Sequence, residues 1–251
     1  MSERTVPPSV VEEIRRSRRH PRLTQYDYLH VQALLRDLEA AVSRLGPELR
    51  DVLDVYCGAR PYDDLFPGGA RIVGLDIDHP SYDYGLADVV TGEFLPFDDA
   101  SFDVVLCTQA FHYVLDQREA LDEIRRVLRP GGTVVITVPV VWEYDRRTPE
   151  HHYTEPVLRR LFEGWDDVRV VESGGWGVSW AAVTGSLFHH VEEALAHRRV
   201  LAAVSRPLFA AGYVVVNAIG RLLEAVDRRL VRGPSRLPMN LLVSARRPAA
   251  G

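Results

Sequence analysis

The stretch Val52–Gly58, VLDVYCG, ends an apolar, β-branched run in Asp54 and then enters a short loop of Tyr56, Cys57, Gly58 and Ala59. A buried parallel strand delivers the chain in this way to a nucleotide-binding loop, where backbone must approach a ligand closely. Twenty-two positions after Asp54, Asp76 closes a second run, Val73-Gly74-Leu75-Asp76, with Ile77 next. An acidic residue about 20 positions beyond such a loop can accept hydrogen bonds from ribose hydroxyls. An aspartate that closes a strand is also a plain turn former. Tyr56 stands where such loops normally hold glycine. If its backbone needs positive φ, a tyrosine there costs roughly 1–3 kcal/mol. If φ is ordinary, the question is steric: the ring fills part of the ligand space or turns aside.

Positioning these residues requires a sheet, and the pattern supplies one. Asp51–Val55, Arg71–Ile77, Asp103–Thr108 and Thr133–Val138 read as buried strands. Tyr26–Leu45 and Gln117–Leu128 carry apolar residues at helical spacing, and Arg129-Pro130-Gly131-Gly132 breaks the second helix. A helix from Pro156 to about Glu163, a short strand Val168–Glu172 and a final strand-like run Leu237–Ala245 follow. Strands alternating with helices predict a parallel sheet with right-handed crossovers. Residues 1 to about 22 are polar and proline-bearing, and are expected to be loosely held. Gly174, Gly175 and Gly177 suggest a flexible joint. Residues 181–232 read as helical, with breaks near Pro207 and Gly212, inserted between the last two strands. The chain thus divides into a tail and helical lid, 1–46, and a domain, 47–251.

The bulk numbers narrow the partners. A chain of 251 residues that is 46% hydrophobic can bury a full core, and its net charge of −5 argues against nucleic acid. Arg15, Arg16, Arg18 and Arg19 form the one basic run, read as a solvated helix face or a site for an anion or membrane surface. Cys57 and Cys107 each follow an apolar run and are expected at neighbouring strand ends. They make neither a disulfide framework nor a zinc site, so a cytoplasmic setting is expected. MSERTVPPSVVEEIRRSRR lacks the apolar core of a secretory leader. Leu208–Leu223 is strongly apolar but falls short of the roughly 20 residues a spanning helix needs. It reads as a buried or interfacial helix, with a homodimer contact next and peripheral membrane contact as a third reading.

Longer segments sharpen the picture. LPFDDASFDVVLCTQAFHYV (Leu95–Val114) precedes ALDEIRRVLRPGGTVVITVP (Ala120–Pro139). With VLDVYCGARPY (Val52–Tyr62) and VGLDID (Val73–Asp78), they resemble the small-molecule class I methyltransferases that use S-adenosylmethionine, of the type 11 kind. The resemblance spans roughly residues 50 to 172. It implies a Rossmann-like, doubly wound α/β fold, a mostly parallel seven-stranded sheet with an antiparallel last strand, flanking helices and a late helical insertion. By the same resemblance, Asp54, Tyr56, Cys57, Gly58 and Ala59 surround the amino-acid part of S-adenosyl-L-methionine, and Asp76 with Ile77 holds its ribose. The usual Gly-Asp pair near the adenine is missing. Asp88 is the first candidate for that place and Glu93 the second. Gln109 faces the meeting point of methyl donor and acceptor, and Arg60 replaces a glycine that often closes the loop.

The implied reaction is direct displacement of a methyl from a sulfonium to O, N or C of a small or carrier-linked metabolite. Alignment alone supplies roughly 7–11 kcal/mol in such reactions. A base is needed only if the acceptor loses a proton late. His112, in Phe111-His112-Tyr113, is the first candidate, against a plain packing role. His152, with His151 and Tyr153, lies in a polar loop that lines the acceptor pocket in relatives, or simply faces solvent. His30, with Tyr26 and Tyr28, forms a lid or packs. Trp176 and Trp180 cover the acceptor or join the core. No acidic cluster is arranged for magnesium, which disfavours a metal-dependent route. Two rivals stay open: a degenerate binding or scaffold protein, suggested by Tyr56, and a peripheral membrane enzyme acting on a lipid-linked substrate.

Overall fold

The computed structural model describes residues 6–77, 84–91, 95–143, 148–197, 199–230 and 235–249. Glu93 lies outside the described residues. Seven strands form one sheet: β1 (Asp51–Val55), β2 (Arg71–Ile77), β3 (Val89–Thr91), β4 (Phe102–Thr108), β5 (Leu128–Pro139), β6 (Asp166–Ser173) and β7 (Asn240–Arg246). Their order is β3-β2-β1-β4-β5-β7-β6. The pairs from β3 through β5 are parallel, and β7 runs antiparallel to both β5 and β6. The order reverses between β1 and β4, so the loops at their carboxyl ends flank one crevice.

Helices cover both faces. On one, α2 (Tyr28–Val42) lays Leu34, Leu38, Ala41 and Val42 over Val52, Val104, Leu106 and Leu242. On the other, α3 (Gln117–Val127) and α4 (Glu155–Leu161) bring Leu121, Ile124, Val127 and Leu158 onto Val105, Val134 and Ile136. The Asp116 side chain caps α3 by accepting from Glu119 N–H at 3.0 Å.

The family-like segments brace the sheet at the end away from the crevice. The Asp103 carboxylate accepts from the N–H groups of Arg50 and Asp51, and Arg129 bridges Asp103 and Asp51 at 2.7 and 2.8 Å. The Arg-Pro-Gly-Gly stretch is not a separate break, because β5 already begins at Leu128. Gly132 is required there, since a Cβ would lie 2.8 Å from the Arg129 carbonyl oxygen.

Four expectations need correction. The described part of the N-terminal segment is not loose: α1 (Pro8–Arg19) is a helix with Pro8 at its first position. Its basic run is mostly turned inward rather than solvated. Arg15 donates to the Ala59 carbonyl at 2.7 Å, Arg18 pairs with buried Asp27 at 2.8 Å, and Arg19 pairs with Asp64 and Glu39. The glycines at 174–177 are not a flexible joint. Gly175 caps α5 (Trp176–Ala196), and a Cβ on Gly177 would fall 2.2 Å from the Gly220 carbonyl oxygen, so two helices cross there in contact. Finally, α6 (Arg199–Leu230) runs unbroken through Pro207 and Gly212. Both long helices sit between β6 and β7 in chain order and pack on α2 through Tyr28, Leu29, Ala181 and Val216. Buried Asn217 anchors them, donating to the carbonyls of Leu23 and Gln25 at 2.9 Å each.

Candidate functional site

The loop after β1 is folded by the residues singled out from sequence. Cys57 N–H donates to the Leu75 carbonyl, and Gly58 N–H donates to the Asp76 carboxylate at 2.8 Å. The other Asp76 oxygen accepts from Ile77 N–H at 2.9 Å. Asp76 therefore braces the loop from the end of β2. Tyr56 adopts φ 60°, Gly58 φ 51° and Arg60 φ 52°. The first alternative for Tyr56 is thus the one realised, and its backbone is strained. Its ring is half-buried against the apolar cluster of Leu53, Val55 and Phe111.

Arg60 closes the loop by a different device from glycine. Its guanidinium donates to Asp63 at 2.8 Å, to Asp88 at 2.7 Å and to the carbonyls of Ile72 and Leu86. Asp88 also accepts from Gly74 N–H at 2.8 Å, so one of its oxygens is committed to holding the loop and β2 together. Replacing Arg60 with methionine strands Asp63 and Asp88. Both carboxylates are partly solvated, so the expected result is a loss of about 1–3 kcal/mol, read as a lowered urea midpoint at unchanged slope.

Across the switch point, the loop after β4 holds Gln109 at φ 53°. Its N–H donates to the Thr137 carbonyl and its side-chain amide to Thr137 Oγ1 at 3.1 Å. A 3-10 turn, Phe111–Tyr113, follows. His151 N–H donates to the His112 carbonyl at 2.8 Å and pins that turn.

Between the two loops lies a cavity of about 320 Å³. Tyr56, Gly58 and Ala59 form one side, Gln109, His112 and Tyr113 another, and His30 and Trp142 cover it. A second cavity, about 530 Å³, is lined by Val55, Leu95, Cys107 and Val114. Tyr56 borders both.

Three buried polar groups lie in or beneath this region. Asp54 is 2% exposed and its Oδ1 has no partner among the described residues. Burial pushes its carboxyl up to about 8; Asp63 and Asp76 add to the shift and Arg60 opposes it. His112 lines the cavity, and its buried Nδ1 has no partner among the described residues. Burial brings its imidazole down to about 4, with His152 contributing. His30 is buried, packs against Trp142 at 5.1 Å between ring centroids and is likewise brought down to about 4 by burial.

The other candidates fall elsewhere. His152 is largely exposed, 3.8 Å from Glu150, and is not among the residues lining the cavity. Tyr153 is buried beneath the turn, hydrogen-bonded to Gln117. Trp176 and Trp180 are exposed on α5 and do not cover the cavity; Trp142 does. The signal for His30 was present, since it falls on the same face of α2 as Leu34 and Leu38, four and eight positions on. Trp142, which also lines the cavity, carried no such signal, and Arg18 stood out only as part of the basic run.

Comparison with known proteins agrees with this geometry. Residues 53–136 match the family model of the Methyltransf_11 methyltransferase domain. A protein of Mycolicibacterium smegmatis, named as a probable S-adenosylmethionine-dependent methyltransferase, is 37% identical over 139 residues, 51% of this chain and 52% of that protein. The 2-methyl-6-phytyl-1,4-hydroquinone methyltransferase of Synechocystis is 28% identical over 157 residues, 57% of this chain and 46% of that one. The chain thus spans about half the length of these curated relatives. Among solved structures, the [4+2]-cyclase SpnF superposes with a TM-score of 0.56 at 21% identity, covering 89% of this chain and 84% of that one, a likeness of fold.

Proposed function

We propose that this chain, a class I S-adenosylmethionine-dependent methyltransferase, methylates an oxygen of a small or carrier-linked metabolite held between His112 and His30. The observation that carries the reading is His112, buried on the wall of the cavity that Gly58 and Ala59 also line.

The residues fit the cofactor. Asp54 is a buried carboxylate with an orphaned oxygen, suited to a cationic amino-acid group, and the loop at 56–59 leaves backbone open on the cavity. Asp54, Gly58 and Ala59 would hold the amino-acid part, with Asp76 and Ile77 toward the ribose. When bound, S-adenosylmethionine supplies an electrophilic methyl on a positively charged sulfur. Gln109, its backbone fixed by Thr137, orients the acceptor. Tyr62, Tyr113 and Trp142 line the cavity and exclude water.

His112 selects the acceptor atom. An imidazole near 4 is neutral at physiological pH, so its lone pair is available, but it is a weak base. It can take a proton only from a group made strongly acidic. A hydroxyl becomes such a group as it gains a methyl. An amine does not, because the resulting ammonium holds its proton near the lysine value of about 10.4. A flat aromatic lining suits a phenol, and the Synechocystis relative is named for a hydroquinone acceptor. Residues 1–46 serve in this reading as a helical cover on the domain 47–251. The buried thiols of Cys57 and Cys107 support a reducing, cytoplasmic setting.

Release of S-adenosylhomocysteine in the presence of phenol and amine panels tests the proposal. Turnover confined to amines would overturn the oxygen assignment, and no calorimetric binding of the cofactor at millimolar concentration would overturn the reading as a whole.

The rival reading, a fold that binds without transferring, rests on strained Tyr56. Glycine there relieves about 1–2 kcal/mol of left-handed strain but removes ring packing that is typically worth about 3–5 kcal/mol. Tyr56→Gly is therefore expected to lower stability by about 1–4 kcal/mol and leave S-adenosylhomocysteine affinity within about threefold. A gain of affinity beyond tenfold would mean that the ring occupies cofactor space, and would favour the rival.

A further inference from the structure

Arg18 differs in kind from the rest of the cavity wall. Among the described residues that line the cavity it alone is charged at neutral pH; the two imidazoles there are brought down to about 4. Its side chain keeps 39% of its surface accessible. Buried Asp27, just before α2, holds it by an ion pair of 2.8 Å through Nη1. That bond uses one of the five guanidinium donors. Nε and Nη2 have no partner among the described residues. The ion pair thus fixes the guanidinium in place and leaves donors over for a ligand.

A second unfilled group lies beside it. His30, on the first turn of α2, is 5% exposed and lines the same cavity. Both its ring nitrogens are buried without a hydrogen-bond partner among the described residues. Arg18 and Asp27 lie close enough to act on its charge. Buried Asn240 also acts on the ring, and its own amide atoms are unpartnered among the described residues. One amide can reach one nitrogen of an imidazole, not both, so the other is left for whatever the cavity holds. An unpaired buried nitrogen is costly, and a ligand that pairs it is bound with a gain.

Charge and shape identify the ligand. A cationic acceptor would face Arg18 in a cavity whose described lining holds no carboxylate side chain. A sulfonium bound there adds a second positive charge. Both favour an anion. The guanidinium fork matches the two oxygens of a planar carboxylate, and neutral His30 supplies a further N–H. Two carboxylates could meet it: that of the cofactor's amino-acid part, or one on the acceptor. Helix α1 touches the cofactor loop through Arg15, which donates to the Ala59 carbonyl at 2.7 Å. Arg18 lies about one helical turn further on and pairs instead with Asp27, next to His30. Resting on the placement of the acceptor between His112 and His30, we propose that Arg18 and His30 receive a carboxylate of the acceptor, which makes the substrate a phenolic acid rather than a neutral phenol.

Calorimetric titration of the full chain loaded with S-adenosylhomocysteine tests this without turnover. The probes are meta- and para-hydroxybenzoate, each against the matching hydroxybenzamide. At least one acid should bind roughly 10–100-fold more tightly than its amide. Arg18→Gln should remove that preference, weakening the acid and leaving the amide within about threefold. Arg18→Lys keeps the charge without the fork and should retain part of it. His30→Phe keeps the bulk of the ring and should weaken the acid about tenfold. Equal binding of acid and amide by the parent chain would overturn the inference, and that comparison needs no variant. So would an acid preference that survives Arg18→Gln; if S-adenosylhomocysteine affinity then falls more than tenfold, the guanidinium belongs to the cofactor's carboxylate. Turnover separates this inference from the oxygen assignment. Neutral phenols methylated as readily as the acids would keep the oxygen and remove the carboxylate. Acids that bind through Arg18 and are never methylated would keep the carboxylate and remove the oxygen.

Discussion

Replacing Asp54 with asparagine is expected to weaken S-adenosylhomocysteine binding about 100-fold while raising the stability of the ligand-free protein above neutral pH. Both effects follow from one buried oxygen. The Asp54 carboxyl sits near 8 in the folded chain because burial disfavours its charge and Asp63 and Asp76 lie close. The unfolded value is near 3.9. The folded state thus binds this proton more tightly. The stability it contributes is complete below about pH 4 and is lost as pH rises through about 8, at up to about 1.4 kcal/mol per pH unit. Asparagine does not titrate, so the difference in melting temperature between variant and parent should grow over that window. A cationic ligand reverses the balance, because it favours the charged carboxylate. Affinity in the parent should therefore rise between about pH 6 and 8, with protons released on binding. Calorimetry in two buffers of different ionisation enthalpy reads that release directly. Binding by Asp54→Asn within threefold of the parent would remove Asp54 from the cofactor site.

The same loop shows where strain is stored. Among the described non-glycine residues, Tyr56, Arg60, Ala100, Gln109 and Asp167 have positive φ. Three of the five lie at the carboxyl ends of β1 and β4, around one crevice. Each is held by its surroundings: Tyr56 by ring packing, Arg60 by four acceptors and Gln109 by Thr137. Strain persists only where neighbours over-determine it, and here they belong to the scaffold of the site.

This explains what the sequence could disclose. The segments that carried the family resemblance are those whose side chains hold backbone. Asp103 and Arg129 lock the amino ends of β1, β4 and β5, and Arg126 reaches back to the carbonyls of Leu95 and Phe97. Backbone geometry demands particular residues at particular spacings, so strands β1 and β2 were legible to the residue. The cavity wall imposes no such spacing. His30, Trp142 and Arg18 come from α2, from the segment after β5 and from α1, and only the fold brings them together. The α1 segment misled because its arginines find partners that lie far along the chain, such as Ala59 and Asp64. Continuity of α6 through Pro207 could not be read either, since local propensity disfavours it and packing on α2 and α5 overrides propensity.

Replacing His112 with alanine is expected to lower turnover with a phenolic acceptor about 100-fold or more, and to leave S-adenosylhomocysteine affinity within about threefold. The imidazole lies on the cavity wall, its Nδ1 buried, in a turn pinned by His151. Burial keeps it neutral down to about 4. The ratio kcat/KM should therefore show no limb from this residue between about pH 6 and 8, and should fall on the acid side near 4. With the positively charged cofactor bound, protonation becomes harder, so the limb in kcat should lie below the limb in kcat/KM. A packing role for His112 would not produce that separation. Nor would it distinguish acceptors, whereas a base this weak helps only where methylation makes the acceptor strongly acidic. The loss in His112→Ala should accordingly be large for phenols and small for any amine that is turned over at all. Equal losses for both, or turnover with phenols within fivefold of the parent, would return His112 to a structural part of the turn and leave the acceptor to lose its proton to water.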